Sequence, residues 1–88
     1  MSNLATITVK QSDEYQNLAT LASVTFTAGT TYVIQVSGEV IVCEKATKPT
    51  TGGFYVTNDE PFEFVAASDP LWIKNLQKNV PAIVNIAD

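Results

Sequence analysis

The sequence contains no histidine and no arginine, and Cys43 is the single cysteine among its 88 residues. One cysteine cannot form a disulfide within the chain, and a structural zinc site needs four ligands, most of them cysteine or histidine. Cys43 lies in an apolar segment without a histidine to activate it, so we expect a buried thiol and not a nucleophile. The sequence therefore predicts a protein that is not an enzyme and has no metal or other cofactor.

Positive charge is also scarce, since five lysines stand against nine acidic residues and give a formal net charge of −4. Nucleic-acid-binding proteins use lysine and arginine to neutralise phosphates and to release counterions. Arginine is the side chain that best forms paired hydrogen bonds to phosphate or guanine. We therefore expect no nucleic-acid partner.

Long apolar runs are missing from the sequence. The first ten residues, MSNLATITVK, have neither the basic start nor the unbroken apolar segment of a signal peptide. No run approaches the roughly 20 apolar residues that a membrane-spanning helix needs. We expect a chain that is made in the cytoplasm as a soluble protein and has no membrane partner.

The chain is short, and its 88 residues predict one domain over residues 1–88. A chain of this size buries roughly 60–65% of its unfolded surface, which makes an isolated monomer only modestly stable. Small domains gain stability from disulfides, from a metal or from self-association. Because the composition argues against the first two, it predicts association with copies of the chain or with a larger partner.

What the sequence does contain is β-forming residues whose apolar side chains recur with a period of two. Seven or eight short strands separated by turns indicate an all-β protein, a small antiparallel β-sandwich or barrel. The predicted strands are LATITV, SVTFT, TYVIQVS, EVIVCE, FYVT, FEFVA, LWIKN and AIVNIA. The predicted core residues are Ile7, Val9, Val24, Phe26, Ile34, Val36, Ile41, Phe54, Phe62, Phe64, Ile73 and Val84.

Three further predictions concern the middle of the chain. The letters SGE around Gly38 predict a tight hairpin between TYVIQVS and EVIVCE. EVIVCE is apolar on both faces, which predicts a strand in the middle of a sandwich. The letters KATKPTTGG that follow, residues 45–53, predict a surface loop.

The segment SDEYQNLATLA, residues 12–22, allows two interpretations. In the first, Ser12 caps a short helix with Asp13 and Glu14 in its first turn and with Tyr15 and Leu18 on its apolar face. In the second, the segment is a loop that leads into an extended arm. Residues 1–22 are therefore predicted to include either a short helix or an extended N-terminal arm.

Four acidic and five aromatic residues are interleaved in GGFYVTNDEPFEFVAASDPLWIKN, residues 52–75. They indicate either an acidic site with aromatic walls or turns between strands. Asparagine, aspartate and serine bond their own backbone in turns, and proline fixes φ there, as in TNDEP and ASDPL. A calcium loop would alternate oxygen ligands, and a glycosidase pair would need a larger scaffold. We therefore expect turns.

The candidate interface residues are Trp72, Tyr55, Lys45 and Lys48. The neighbours of Trp72 in its strand claim the inner face, so its ring either anchors an interface or is partly buried under a loop. The same alternatives hold for Tyr55. Lys45 and Lys48 lie in the predicted loop, where they either meet an acidic partner or keep the loop soluble.

The stretch TAGTTYVIQVSGEVIVCEKATKPTTGGFYVTNDEPFEFVAASDPLWIKN resembles small virion proteins of tailed bacteriophages. In those proteins a GT-Y strand precedes a loop of the type V-V-E-ATKPT-GG. A short strand, an acidic turn, an aromatic strand and an LW/LY-hydrophobic-K strand follow. The resemblance covers roughly residues 22–75, extends weakly to the last strand, and is a pattern of strands and turns without a catalytic signature.

This resemblance implies an all-β virion structural protein that forms homo-oligomers, with a homotrimer as first choice and a dimer as second. The leading expectation is a capsid decoration (cement) protein that binds the major capsid protein and stabilises the phage head. One alternative is a tail, fibre or adaptor component of the virion. Another is a carbohydrate-binding module that uses Tyr55 and Trp72 as a stacking platform.

Overall fold

The structure is a computed structural model that describes residues 3–58 and 60–88. Strands make up about half of this length, and one short helix follows the second of them. The elements are β1 Asn3–Val9, β2 Gln16–Asn17, α1 Leu18–Ala22, β3 Thr31–Ser37, β4 Glu39–Glu44, β5 Phe54–Thr57, β6 Phe62–Val65, β7 Leu71–Asn75 and β8 Ala82–Ala87.

The strands form two four-stranded sheets, the first in the order β1-β8-β3-β6 and the second in the order β2-β7-β4-β5. Every strand pairing in the two sheets is antiparallel. The chain pairs like one long hairpin, β1 with β8, β2 with β7, β3 with β6 and β4 with β5. The pairings β3–β8 and β4–β7 roll this hairpin into two layers. This is the topology of a jelly roll, and it confirms the predicted antiparallel β-sandwich.

The core lies between the sheets and is formed by inward-facing side chains that alternate along each strand. Directly opposite residues share this face, for example Ile34 on β3 and Ile86 on β8. The predicted core residues Val9, Ile34, Val36, Phe64, Ile73 and Val84 are buried in this cluster, and Ile7, Phe26 and Phe62 pack against it. Nine of the twelve predicted core residues therefore lie in the core or against it, although most of the buried residues of this cluster were not among those predicted.

Ile41 is buried, but not in the core between the sheets. Val40 and Val42 on either side of it belong to the core cluster, so Ile41 faces the outside of the second sheet. There it lies between Lys74 of β7 and Tyr55 of β5. β4 is thus the strand with apolar residues on both faces, and it occupies the predicted position inside a sheet.

Phe54 was predicted to lie in the core, and this prediction is wrong, because 69% of the residue is exposed. It is the first residue of β5, an edge strand, and it pairs with Val42 at the rim of the sandwich. The core is already closed beneath it by Val42 and Val56, so its ring lies on the rim instead. Val24, also predicted for the core, is half-buried.

The predicted hairpin at Gly38 is also wrong, because β3 belongs to the first sheet and β4 to the second. The single residue Gly38 carries the chain from one layer to the other. Its φ of 129° is a conformation that residues with a side chain rarely adopt. A Cβ atom at this position would lie 2.5 Å from the side-chain oxygen of Gln77. Gly38 therefore makes a corner between sheets where sequence spacing alone indicated a turn within one.

The predicted strand SVTFT does not form, since residues 23–27 lie outside both sheets. Phe26 nonetheless packs edge-on against Tyr32 and Phe64, with ring centroids 4.7 and 5.4 Å away. The Tyr32 hydroxyl accepts a hydrogen bond of 2.7 Å from the Thr27 N–H. The alternation in this segment reflects burial of one ring at the end of the core and not pairing with another strand.

The N-terminal residues contain a short helix, but it does not begin at Ser12. Ser12 accepts a hydrogen bond from the Glu14 N–H in a turn. The five-residue helix begins at Leu18, with the Asn17 side chain accepting from the Thr20 N–H. An extended arm does not form over Asn3–Val9 either, because this strand pairs with β8 along its length.

Candidate interaction surface

The loop of residues 45–53 lies over the outer face of the second sheet and is held there at three points. The hydroxyl of buried Tyr15 donates a hydrogen bond of 2.7 Å to the Gly52 carbonyl. The Lys48 ammonium lies 2.9 Å from the Glu14 carboxylate. The indole N–H of Trp72 donates a hydrogen bond of 2.9 Å to a loop carbonyl, that of Lys45. The loop is therefore fixed to β7 and to the segment before β2.

These contacts place three of the four candidate interface residues in the attachment of this loop. Trp72 is half-buried, and its one polar atom has a partner in the loop, which is the arrangement of a ring partly buried under a loop. Lys45 supplies the carbonyl for Trp72, and Lys48 contacts Glu14. Tyr55 does not share these contacts and is 71% exposed.

Tyr15 also holds this loop, and that role was not predicted from the sequence. Burial raises the pKa of its phenol above the ordinary value of 10.0, and the negative charges that Cys43 and Tyr55 acquire on ionisation raise it further. The Lys74 ammonium lies 5.6 Å from the centre of its ring. Near neutral pH the phenol is therefore protonated and available as a donor to Gly52.

Replacing Tyr15 by phenylalanine is expected to lower the free energy of unfolding by about 1 kcal/mol near neutral pH, because the Gly52 carbonyl loses its donor. A raised pKa means that Tyr15 contributes stability below pH 10.0 and loses that contribution as pH rises through its folded-state pKa. Urea unfolding at a series of pH values should therefore show the two proteins converging at alkaline pH. A difference that stays constant or grows there would contradict this role.

A second surface is formed where β5 and β6, the edge strands of the two sheets, meet at one side of the sandwich. We call Phe54, Tyr55 and Phe62 the apolar rim. Phe54 and Phe62 face each other across the two edges, with ring centroids 6.3 Å apart and planes 31° apart. Phe54, Tyr55 and Val65 are among the most exposed large apolar residues that the structure describes.

Edge strands in natural sheets are usually protected by charges, prolines, bulges or short length. β6 carries Glu63 in its middle, β1 has a register irregularity between Asn3 and Ala5, and β2 is two residues long. β5, with the sequence FYVT, carries no charge and no proline. Its register with β4 is also regular, so its length of four residues is the one protection of these kinds that it has.

Sequence reasoning left Tyr55 between an interface and partial burial under a loop, and it assigned Phe54 to the core. FYVT lies between a glycine pair and an acidic turn, which mark the two ends of the strand but do not show its place in the sheet. The turn itself is observed, with the Glu60 N–H 3.4 Å from the Thr57 carbonyl. Ser68 and Asp69 lie in a bend before β7, while Asp59 falls outside the described residues.

No feature of the described chain points directly to a chemistry. In residues 3–58 and 60–88, no three Cys, Asp or Glu side chains come together as metal ligands. The same residues include no helix with the length and apolar character needed to cross a membrane. Comparison of the chain with protein-family models, with curated proteins and with solved structures found no match.

Proposed function

We propose that the chain is a structural virion protein, a capsid decoration (cement) protein that assembles with its own copies on a phage head and stabilises the head. The observation that carries this proposal is the apolar rim, where Phe54 and Tyr55 are exposed on an uncharged edge strand. Exposed aromatic residues are enriched where proteins contact partners. A rim of this kind gives a small subunit a surface for its neighbours.

Two further observations support the same class of protein. The strand and turn pattern of roughly residues 22–75 resembles small phage virion proteins. The jelly roll is a common architecture of viral capsid domains, which supports the proposal by analogy of fold. We propose self-association as a homotrimer or a dimer and the major capsid protein as the larger partner.

Jelly rolls also occur as lectin domains, which keeps a carbohydrate-binding module as the alternative. Stacking on a sugar needs exposed rings on one face, beside polar groups. Trp72 is half-buried with its indole N–H bound to Lys45. Phe54 and Tyr55 are consecutive in a strand, so their side chains point to opposite faces. These positions favour contact with protein over a flat sugar platform.

The proposal is tested by adding purified protein to capsids that lack it and by counting copies per particle with quantitative mass spectrometry. We expect saturable binding at many equivalent positions and an increase in the melting temperature of the capsid, because binding to the assembled state stabilises it. A few copies per particle, confined to purified tails, would favour the tail, fibre or adaptor alternative. Glycan binding without capsid binding would favour the carbohydrate-binding module.

A further inference from the structure

The outer side of β5 has no strand partner in the part of the chain that the structure describes. Its other side pairs with β4 over four residues, from Phe54 opposite Val42 to Thr57 opposite Glu39. An edge strand presents a row of backbone N–H and C=O groups that a further strand can bind. We propose that β5 pairs antiparallel with β5 of a second copy, so that two second sheets join into one sheet of eight strands. This inference rests on the self-association in the proposed function and selects the dimer.

The other edges fit such a contact less well. Self-pairing of β6 would bring two Glu63 carboxylates together at the contact, and like charges placed opposite each other destabilise a strand pair. β1 is irregular between Asn3 and Ala5, and β2 has two residues and leads directly into α1. β5 has neither a charge nor an irregularity, so two copies of it can pair without repulsion between like charges and without a break in the backbone pairing.

The faces of β5 restrict the register of the contact. Tyr55 faces the outside of the second sheet, while Val56 is buried in the core. Directly opposite residues in a sheet lie on the same face, so a two-fold axis normal to the sheet pairs outer residues with outer residues. We place the axis at Tyr55, where the two tyrosines form a cross-strand aromatic pair. Each Phe54 then lies opposite Val56 of the second copy.

No side chain obstructs the ends of the contact in this register, because Gly53 would lie opposite Thr57 of the second copy. Gly53 has a φ of 120°, and a Cβ atom there would clash with the backbone of Val42. The close approach to β4 therefore requires glycine at this position. It also leaves no side chain beside Thr57 in the contact.

Charges flanking β5 suit a second copy of the same chain. Residues 45–53 before the strand contain two lysines and no acidic residue, and Glu60 follows the strand in a segment without lysine. Antiparallel pairing sets the loop of one copy next to the turn of the other. Lys48 contacts Glu14, so Lys45 is the lysine that we assign to Glu60 of the second copy. This attraction offsets part of the repulsion between two chains of net charge −4.

The inference is tested by sedimentation velocity of the full chain, of Tyr55→Lys and of Ile83→Lys. Lysine on an edge strand opposes edge pairing, so Tyr55→Lys should raise the dimer dissociation constant by about 30-fold or more. Ile83 is also exposed but faces outward on β8, within the first sheet, so Ile83→Lys should leave the dimer unchanged. Unchanged circular dichroism of both variants would show that they fold.

A cysteine variant reports the register. Tyr55→Cys in a Cys43→Ser background should form a disulfide-linked dimer on oxidation, because opposite Cα atoms in such a pair lie about 4.5–5.5 Å apart. Ile83→Cys in the same background should remain unlinked. A Tyr55→Lys protein that assembles like the wild type, or a Tyr55→Cys protein that does not cross-link, would overturn the inference.

Capsid binding separates this inference from the proposed function. An assembly that binds capsids and is insensitive to Tyr55→Lys overturns the β5 contact and leaves the decoration function standing. A dimer that depends on Tyr55 but does not bind capsids supports the contact and contradicts the decoration function.

Discussion

Replacing Phe64 by alanine is expected to lower the free energy of unfolding by about 3–5 kcal/mol, the range for removing a buried phenylalanine. Phe64 is 4% exposed, lies opposite Tyr32 in the first sheet and contacts Phe26 edge-on. The cavity would open beside two aromatic side chains, Tyr32 and Phe26. Since small domains have only about 5–15 kcal/mol of stability, we expect a large fall in the urea midpoint and partial unfolding near 37 °C.

Phe54→Ala is the matched control, because it removes the same ring from a neighbouring edge strand. Phe54 is mostly exposed, so its replacement should change the free energy of unfolding of the monomer by no more than about 0.5 kcal/mol. Both variants should be unfolded at low protein concentration, where self-association does not add to stability. Equal losses in the two variants would mean that the burial of these two rings is assigned incorrectly.

These two phenylalanines also show what the sequence can and cannot predict. Both occupy apolar positions of short alternating segments, and alternation was enough to predict a β-sandwich, although it identified only six of the fifteen buried residues that the structure describes in the core cluster. Alternation reports the face of a strand, whereas burial also depends on its place in the sheet. Phe54 is exposed because β5 is an edge strand, and the strand order arises from contacts between residues far apart in the chain.

The same limit explains the wrong hairpin and the wrong strand. Gly38 looked like a hairpin turn because the apolar pattern continues after it, but the chain changes sheets there at a φ of 129°. Phe26 was predicted to lie in a strand because apolar and polar residues alternate around it. It lies instead in a segment outside both sheets, and its ring packs against the core. In both cases the spacing of apolar residues predicted which side chains are buried, but it could not predict which strand, if any, the segment pairs with.

The candidate surface was predictable in part. Tyr55 was singled out from its position in the sequence, and it is exposed. For Trp72 the sequence allowed either an interface position or partial burial under a loop. In the structure its indole N–H donates to the Lys45 carbonyl in the loop, which corresponds to the second alternative. The role of Tyr15 in holding the loop was not predictable, because its hydroxyl donates to the carbonyl of Gly52, which is 37 residues away in sequence.

Asn75→Ala is expected to lower the free energy of unfolding by about 2–4 kcal/mol, because it removes the hydrogen-bond partner of three backbone groups, one in a buried bond and two in partly buried bonds. Asn75 is 1% exposed at the end of β7. Its side-chain amide donates to the carbonyls of Val9 and Val80, at 3.0 and 2.8 Å, and its oxygen accepts from the Gln77 N–H at 2.9 Å. One side chain thus joins the end of β1 to the connection between β7 and β8. The effect is measured by urea unfolding at neutral pH.

Asn85→Ala is the control for this prediction, because Asn85 also lies in a strand and also makes hydrogen bonds. Its partners are the Thr6 and Gln35 side chains, at 2.7 and 3.4 Å, on the exposed face of the first sheet. Water can replace these bonds, so the loss should stay below about 1 kcal/mol. Asn75→Asp keeps the size and the acceptor but loses the donor, so it should be at least as unstable as Asn75→Ala near neutral pH. If Asn75→Ala unfolds at the same urea concentration as Asn85→Ala, the Asn75 amide does not hold these ends together.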